Sequence, residues 1–426
     1  MTAPETFPAG PEHTEHLAWL AEQRRGLRAF ARGAVHPAGG FGRLDDAGRL
    51  AEGSAVETWI TARMTHVAGL AVLEGDHGCR DLLDHGVAAF SPGGVLADAE
   101  HGGWYASADA SGRPEVTEKR AYDHAFVVLA AATASAARHP DGDDLLDAAL
   151  DVLDRRFWRD TDGLVVDVWD RGWSELEPYR GANANMHTVE AMLAAWDVTR
   201  DPRWLDHARS VVERIVHAFA RDWGFRLPEH FSPDWVPDAG YNRDRPADPF
   251  RPYGVTTGHL LEWSRLCLHL RHGLDGAAPA WLLEDARSLF DVGVHEGWSV
   301  DGHEGFVYTT DFEGTPVVRD RLHWVVAEGI ATARTLQLVT GDPTYGTWYD
   351  TWWTHARDHF VDERLGSWRH ELSPTLQPAS TVWQGKPDVY HAYQVCLLGA
   401  LPEITSFAGA LRDGLLPTVG DAPRAG

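Results

Sequence analysis

Polar and aromatic side chains recur along this chain at intervals of about 65 residues, the spacing of a repeated structural unit. The set is Arg63, Tyr122, His187, His259, Trp324 and His391. Histidine titrates near neutral pH, so positioned histidines can take up and return protons during a reaction. Gathered in one pocket, these residue types predict proton transfer on a polar small molecule.

The elements that must position these residues are helices. Apolar residues recur at three- and four-residue steps in twelve segments, among them "AYDHAFVVLAAATASAA" and "DLLDAALDVLDRRFW". In each pair one helix is rich in Ala and is predicted to be an inner helix, while its partner has one charged face and is predicted to be an outer helix. Intervening stretches such as "GLVVDVWDRGWSELEPYR" predict short strand hairpins.

Six such pairs predict an all-α (α/α)6 barrel, a toroid of six helical hairpins with short β-hairpins at the active-site end. We expect one catalytic domain over residues 13–416, with flexible termini at 1–12 and 417–426. An open solenoid is the alternative, but the polar end repeats that it needs are not evident. In a closed ring, the six recurring residues would point toward the axis from one end.

The charge of the chain limits its partners. A formal net charge of -25 over 426 residues argues against nucleic acid or an anionic membrane and favours a neutral small molecule. Neither a transmembrane run nor a signal peptide is evident, and the separated Cys79, Cys267 and Cys396 suit a reducing compartment, so we expect a cytoplasmic protein. The 19 Trp residues suit an aromatic-walled pocket. Monomer and homo-oligomer both stay open.

Motifs for other chemistries are missing. The sequence has no HExxH, GxGxxG, GxxxxGK[ST] or GxSxG, so no metal site and no cofactor is expected. An inverting glycoside hydrolase remains a rival, because α/α toroids house such enzymes and Glu57, Glu262 and Glu328 could supply its two carboxylates. A non-catalytic sugar-binding protein is the third alternative.

Four motifs resemble a known family. "NANMHTVEA" contains His187, "GHLLEW" contains His259 and Glu262, "HWVVAEG" contains Trp324 and Glu328, and "GKPDVYH" contains His391. In order and spacing the set resembles the N-acylglucosamine 2-epimerase superfamily, in the branch of mannose isomerase and sulfoquinovose isomerase. The resemblance implies an (α/α)6 barrel and a rearrangement at carbon 2 of a reducing sugar without a metal.

The resemblance also implies catalytic roles. His391 would move the carbon 2 proton to carbon 1, and His259 would assist ring opening. Glu262, three residues beyond His259 on one helix, would orient that ring. Arg63 would hold the developing enediolate oxygen, because its charge is permanent.

The remaining predicted residues bind substrate. They are His187, Asn183, Tyr122, Trp324, Glu328, Trp383 and Arg251. Arg251, in "PFRPYGVTTGH", would lie at the pocket rim near carbon 6 of the sugar, where a guanidinium suits a sulfonate. Conversion of D-mannose to D-fructose is the favoured reaction, with sulfoquinovose isomerisation and sugar 2-epimerisation as alternatives.

Overall fold

The computed structural model describes residues 11–417, which form two concentric layers of helices. The stretches predicted to be flexible, residues 1–12 and 417–426, fall almost entirely outside that range. Within it, the α-helices are α1 (Pro11–Ala31), α2 (Thr58–Leu73), α3 (Arg80–Phe90), α4 (Ala121–Ala136), α5 (Gly142–Val152), α6 (Ala182–Thr199), α7 (Pro202–Val212), α8 (Thr257–Leu274), α9 (Trp281–Gly297), α10 (His323–Thr340), α11 (Pro343–His355), α12 (Tyr390–Leu398) and α13 (Phe407–Arg412). No helix in this part of the chain has the length and apolar character needed to cross a membrane.

The even-numbered helices α2 to α12 form the inner ring. Each contacts the next inner helix, and α12 contacts α2, so the ring closes. Helix α4 shows why: it is rich in Ala and buried on nearly every side, which lets neighbouring inner helices approach closely. The predicted (α/α)6 toroid is confirmed, and the open solenoid is excluded.

The outer helices pack on this ring. Helices α3, α5, α7, α9 and α11 each pack on the inner helix that precedes them in the chain, whereas α1 packs on α12. The amphipathic α7 is typical, since Trp204, Leu205 and Ala208 are buried while its charged residues face outward. The first helix of the described chain and the last inner helix therefore form the sixth helical pair.

Short strands position the inner helices. They are β1 (Val56–Glu57), β2 (Ser107–Ala108), β3 (Pro114–Val116), β4 (Lys119–Arg120), β5 (Trp158–Arg159), β6 (Leu164–Val165), β7 (Val168–Trp169), β8 (Arg180–Gly181), β9 (His230–Phe231), β10 (Val255–Thr256), β11 (Thr309–Thr310), β12 (Pro316–Val318), β13 (Arg321–Leu322), β14 (Val361–Asp362), β15 (Ser367–Trp368) and β16 (Glu371–Leu372). All pair antiparallel, as in β4 with β7 and β8 with β9. Strands β1, β4, β8, β10 and β13 each lead directly into an inner helix, so the helix N-termini gather at one end.

Local sequence signals account for several helix ends. Asp201 and Asp342 each accept a hydrogen bond from a backbone N–H of the following turn, with proline at the next position. Helix α13 was not predicted, because six residues are too few to show a period. It contacts α2, α4 and α6 at the C-terminal end of the inner ring, and Ser406 caps it while donating to Asp197 at 2.6 Å.

The start of α8 lies very close to α10. A Cβ added at Gly258 would stand 2.3 Å from Cζ3 of Trp324, closer than atoms can pack. We therefore expect Gly258→Ala to lower the free energy of unfolding by about 1–3 kcal/mol, the cost of overpacking a core. Urea denaturation followed by tryptophan fluorescence measures this. Gly276→Ala is the matched control, since nothing lies within 4 Å of its Cβ position. Equal midpoints for the two variants would contradict the prediction.

Candidate active site

A cavity opens at the N-terminal ends of the inner helices, where the strands align them. All predicted site residues except Glu328 and Arg251 line it, namely Arg63, Tyr122, Asn183, His187, His259, Glu262, Trp324, Trp383 and His391. The sequence analysis missed other lining residues, namely Trp59, Phe250, Tyr308, His323, His370 and Asp388. Most of these lie in loops or next to a helix start, where no periodic signal singles them out.

His391 is held from behind by a buried carboxylate. Its Nδ1 lies 3.0 Å from Oε1 of Glu328, and Arg265 donates from Nε to Oε2 of the same carboxylate at 2.8 Å. Burial alone would raise the pKa of Glu328, but the Arg265 guanidinium lowers it to about 2. The ionised Glu328 accepts a hydrogen bond from Nδ1–H of His391. The Nε2 of the neutral ring is then unprotonated and can act as a base.

Glu328 therefore differs from its predicted role. It was expected to bind substrate, but it does not line the cavity, because both carboxylate oxygens are used by His391 and Arg265. Burial lowers the pKa of His391, and the hydrogen bond with Glu328 opposes that effect. The carboxylate orients the histidine and supports its charged form.

His259 has its own carboxylate partner, and it is not the expected one. Its Nδ1 lies 2.9 Å from Oε1 of Glu229, the residue immediately before β9. Glu262 was expected to orient this ring, but it instead lies 3.8 Å from Nδ1 of His187 and 3.5 Å from Arg265. Helical spacing places Glu262 near His259, but a residue distant in sequence reaches the ring first.

Glu262 is a buried carboxyl beside other carboxylates. Burial, together with the nearby Glu328, raises its pKa well above the ordinary range. Its surroundings therefore favour the protonated form, which can donate a hydrogen bond. The Arg265 guanidinium contacts both carboxyl groups, at 3.5 Å from Glu262 and 2.8 Å from Glu328.

Arg63 brings a fixed positive charge into the cavity. It donates to Oδ2 of Asp388 at 3.2 Å and to the hydroxyl of Tyr122 at 2.9 Å, and it lies 4.4 Å from the ring centroid of Phe126. Burial alone would lower its pKa, but Tyr122 and Asp388 raise it. The guanidinium is thus held ready for an oxyanion in the cavity.

Aromatic rings line the space between the two histidines. The Trp324 ring centroid lies 5.3 Å from that of His259 and 5.7 Å from that of His391. Tyr122 contacts His187 edge-on at 5.2 Å. Apolar ring faces beside polar groups suit a sugar, which presents both C–H and hydroxyl surfaces.

Arg251 does not reach this cavity. Its two Nη atoms each donate at 2.8 Å to Glu177, and it lines an adjoining chamber instead. It was expected to contact carbon 6 of the substrate from the rim. Because its guanidinium already forms a bidentate ion pair with Glu177, Arg251 is not free to contact carbon 6.

One group of buried residues, two of which line the cavity, has the spacing of metal ligands. Ligand atoms of His187, Glu190 and Glu262 lie within 4.8 Å of one another. Glu190, however, accepts hydrogen bonds from the Tyr390 hydroxyl and from Gln394, and burial favours the protonated form of Glu262. A carboxylate already engaged in hydrogen bonds and a carboxyl group that tends to keep its proton are poor ligands for a resident metal.

The fold and the site together define a class: a helical toroid enzyme whose cavity is lined by two histidines, each paired with a carboxylate. The chain belongs to the N-acylglucosamine 2-epimerase family, whose model matches residues 39–395.

Two relatives cover nearly the whole chain. A D-mannose isomerase of Thermobifida fusca is 53% identical over 399 residues, which is 93% of this chain and 97% of the relative. A D-mannose isomerase of Pseudomonas cannabina pv. alisalensis is 47% identical over 410 residues, covering 95% and 98% of the two chains.

Solved structures agree on the fold. The crystal structure of a D-mannose isomerase matches with a TM-score of 0.83 at 26% identity, over 93% of this chain and 99% of the other. A cellobiose 2-epimerase from Spirochaeta thermophila matches with a TM-score of 0.81 at 22% identity, over 97% and 100%. A family 76 glycoside hydrolase shares the fold at a TM-score of 0.60 and 12% identity, covering 90% and 77%.

The pairing of His391 with Glu328 makes a prediction about titration. The ionised carboxylate favours the protonated imidazole, so Glu328→Gln should lower the pKa of His391 further below its ordinary value. NMR titration of the imidazole protons in both proteins measures the change. Glu229→Gln is the matched control, because Glu229 pairs with His259 instead. A raised pKa in Glu328→Gln, or the same change in the control, would refute the assignment.

Proposed function

We propose that this protein is a metal-independent aldose-ketose isomerase that converts D-mannose to D-fructose. The observation that carries the proposal is the pair of histidines, each backed by a buried glutamate, on either side of Trp324. The two D-mannose isomerases at 53% and 47% identity support the substrate.

The reaction begins with opening of the sugar ring. A base takes the proton of the anomeric hydroxyl while an acid protonates the ring oxygen. His259 suits the first task, because its Nδ1–H donates a hydrogen bond to Glu229 and its Nε2 is left to accept a proton. The protonated Glu262 suits the second, since burial keeps a proton on a carboxyl group that lines the cavity.

Proton transfer between carbons follows. His391 takes the proton from carbon 2 of the open aldose, the C–H electron pair forms the enediol double bond, and the carbonyl oxygen on carbon 1 receives the proton that His259 took during ring opening. His391 then returns its proton to carbon 1, His259 takes the proton of the hydroxyl on carbon 2, and that oxygen becomes the carbonyl of the ketose. Arg63 stabilises the negative charge that develops on oxygen, so no metal is needed for that task.

The geometry favours an isomerase over a glycoside hydrolase. Within the described residues, the carboxylates that line the cavity are Glu262 and Asp388, and Asp388 is paired with Arg63. The other hydrolase candidates are also engaged, since Glu57 binds Arg43 and Glu328 binds His391. Among the described residues that line this cavity, no pair of free carboxyl groups is left to flank a glycosidic bond.

We further propose that the protein acts in the cytosol on a small sugar and not on nucleic acid. The free thiols of Cys79, Cys267 and Cys396, all buried, support a reducing compartment, and the net charge of -25 supports the second point.

Turnover of D-mannose tests the proposal directly. In deuterated buffer containing EDTA, we expect NMR to show D-fructose accumulating, with deuterium entering at carbon 1 when the His391 proton exchanges with solvent. Glucose as the first product would instead indicate a 2-epimerase, with protonation of carbon 2 from the opposite face. Inert mannose with active sulfoquinovose would move the substrate to the sulfonated sugar. Loss of turnover on adding EDTA would contradict metal independence.

Replacement of the base tests the mechanism. We expect His391→Asn to reduce kcat by roughly 10²- to 10⁴-fold, the usual contribution of a positioned acid or base. His77→Asn, on the exposed side of the chain, is the control and should retain full activity. A hydrolase would show the reverse ranking, with His391→Asn tolerated and Glu262→Gln inactive toward a glycoside.

A further inference from the structure

A second chamber of about 660 Å³ adjoins the catalytic cavity. The two share Trp59, Tyr122, Asn183 and Phe250 as lining residues. Phe250 stands between them, with its ring centroid 5.8 Å from those of Trp59 and Tyr122. The chamber is a separate compartment with its own polar groups, and none of the roles proposed above uses it.

Carboxylates dominate the lining of this chamber. They belong to Glu118, Asp123, Asp167, Asp170, Glu175, Glu177 and Asp248. Its two arginines are already paired: Arg120 donates to Glu118 at 2.7 Å, and Arg251 forms the bidentate pair with Glu177. The chamber therefore holds excess negative charge that no free cation of its own lining balances.

Asp123 is the exceptional member of this set. Its side chain lies in the first turn of α4 and is 1% exposed, yet neither carboxylate oxygen has a hydrogen-bond partner among the described residues. Asp167, which is also buried, accepts a hydrogen bond from the backbone N–H of Gly181 at 2.9 Å. Burial raises the pKa of Asp123 to about 7, against the opposing effect of Arg120. A buried carboxylate without donors carries a full desolvation cost.

A partner that donates hydrogen bonds and carries positive charge would stabilise the ionised form of Asp123. A protonated amine does both, and the rings of Trp59, Tyr122 and Trp169 in the same wall suit a cation or the C–H face of a sugar. The volume lies within the range of about 300–1,000 Å³ typical of ligand sites. We propose that this chamber binds a protonated amino sugar, with its ammonium group on Asp123.

This site is coupled to the catalytic cavity through shared residues. Tyr122 lines both compartments, and its hydroxyl accepts a hydrogen bond from Arg63. An occupant of the chamber would contact Tyr122 and Phe250, and could thereby modulate the neighbouring site. The binding claim itself does not depend on the proposed isomerase activity.

Calorimetric titration with two matched probes tests the proposal. The methyl glycoside of glucosamine carries an ammonium where the methyl glycoside of glucose carries a hydroxyl, and neither has a reducing end that can open. A charge-assisted hydrogen bond to Asp123 should make the amine bind roughly tenfold more tightly or better. Equal affinity of the two probes for the unaltered protein would overturn the proposal, whatever any variant does.

Two variants locate the effect. Asp123→Asn keeps the shape of the side chain and removes its charge, so the preference for the amine should disappear. Asp147→Asn, exposed on α5, removes one charge elsewhere and should leave the preference intact. An equal preference in Asp123→Asn and the unaltered protein, or its loss in Asp147→Asn, would show only general attraction to an acidic surface and would refute the site.

Discussion

The placement of one buried guanidinium determines the electrostatics of this molecule. Arg265 is 1% exposed and lies between Glu328 and Glu262, two carboxyl groups that cannot both be ionised at such depth without it. It keeps Glu328 ionised, and Glu328 in turn accepts a hydrogen bond from Nδ1 of His391. For Glu262, burial and the nearby Glu328 raise the pKa well above the ordinary range, against the opposing effect of Arg265. Loss of one partner in such a buried network costs about 3–5 kcal/mol, because the remaining charges are left unpaired in a low dielectric.

The helical toroid brings Arg265 and its carboxylate partners together in the interior. Arg265 and Glu262 lie on α8, Glu328 on α10 and His391 on α12, which are three successive helices of the inner ring. Side chains on adjacent inner helices meet at the axis, where backbone groups are already satisfied within each helix and water is excluded. Polar networks in that position are rigid. The same closure brings α1 onto α12 and α13 under α2, α4 and α6, which seals the end opposite the cavity.

The fold alone does not fix the chemistry. Glycoside hydrolases of family 76 have a similar toroid at 11% to 12% identity, and their likeness to this chain extends to the fold only. The site here differs in kind from a pair of carboxyl groups, since two histidines with glutamate partners and a buried arginine surround the cavity. Side chains at the N-termini of the inner helices, and the loops before them, decide which reaction the scaffold supports. The same loops build the acidic chamber next to the cavity.

The sequence by itself determined the toroid, the inner and outer helices and half of the cavity lining, because helical periodicity and a regular repeat fix which face of each helix is buried. It could not determine which carboxylate serves which histidine. Glu262 lies near His259 in sequence, yet Glu229 holds that ring, and Glu328 lies behind His391 instead of in the cavity. The surroundings of Arg251 and Asp123 are likewise formed by segments distant in the chain. These pairings depend on distances of a few ångströms between separate repeats, and only the packing of neighbouring inner helices and their loops sets those distances.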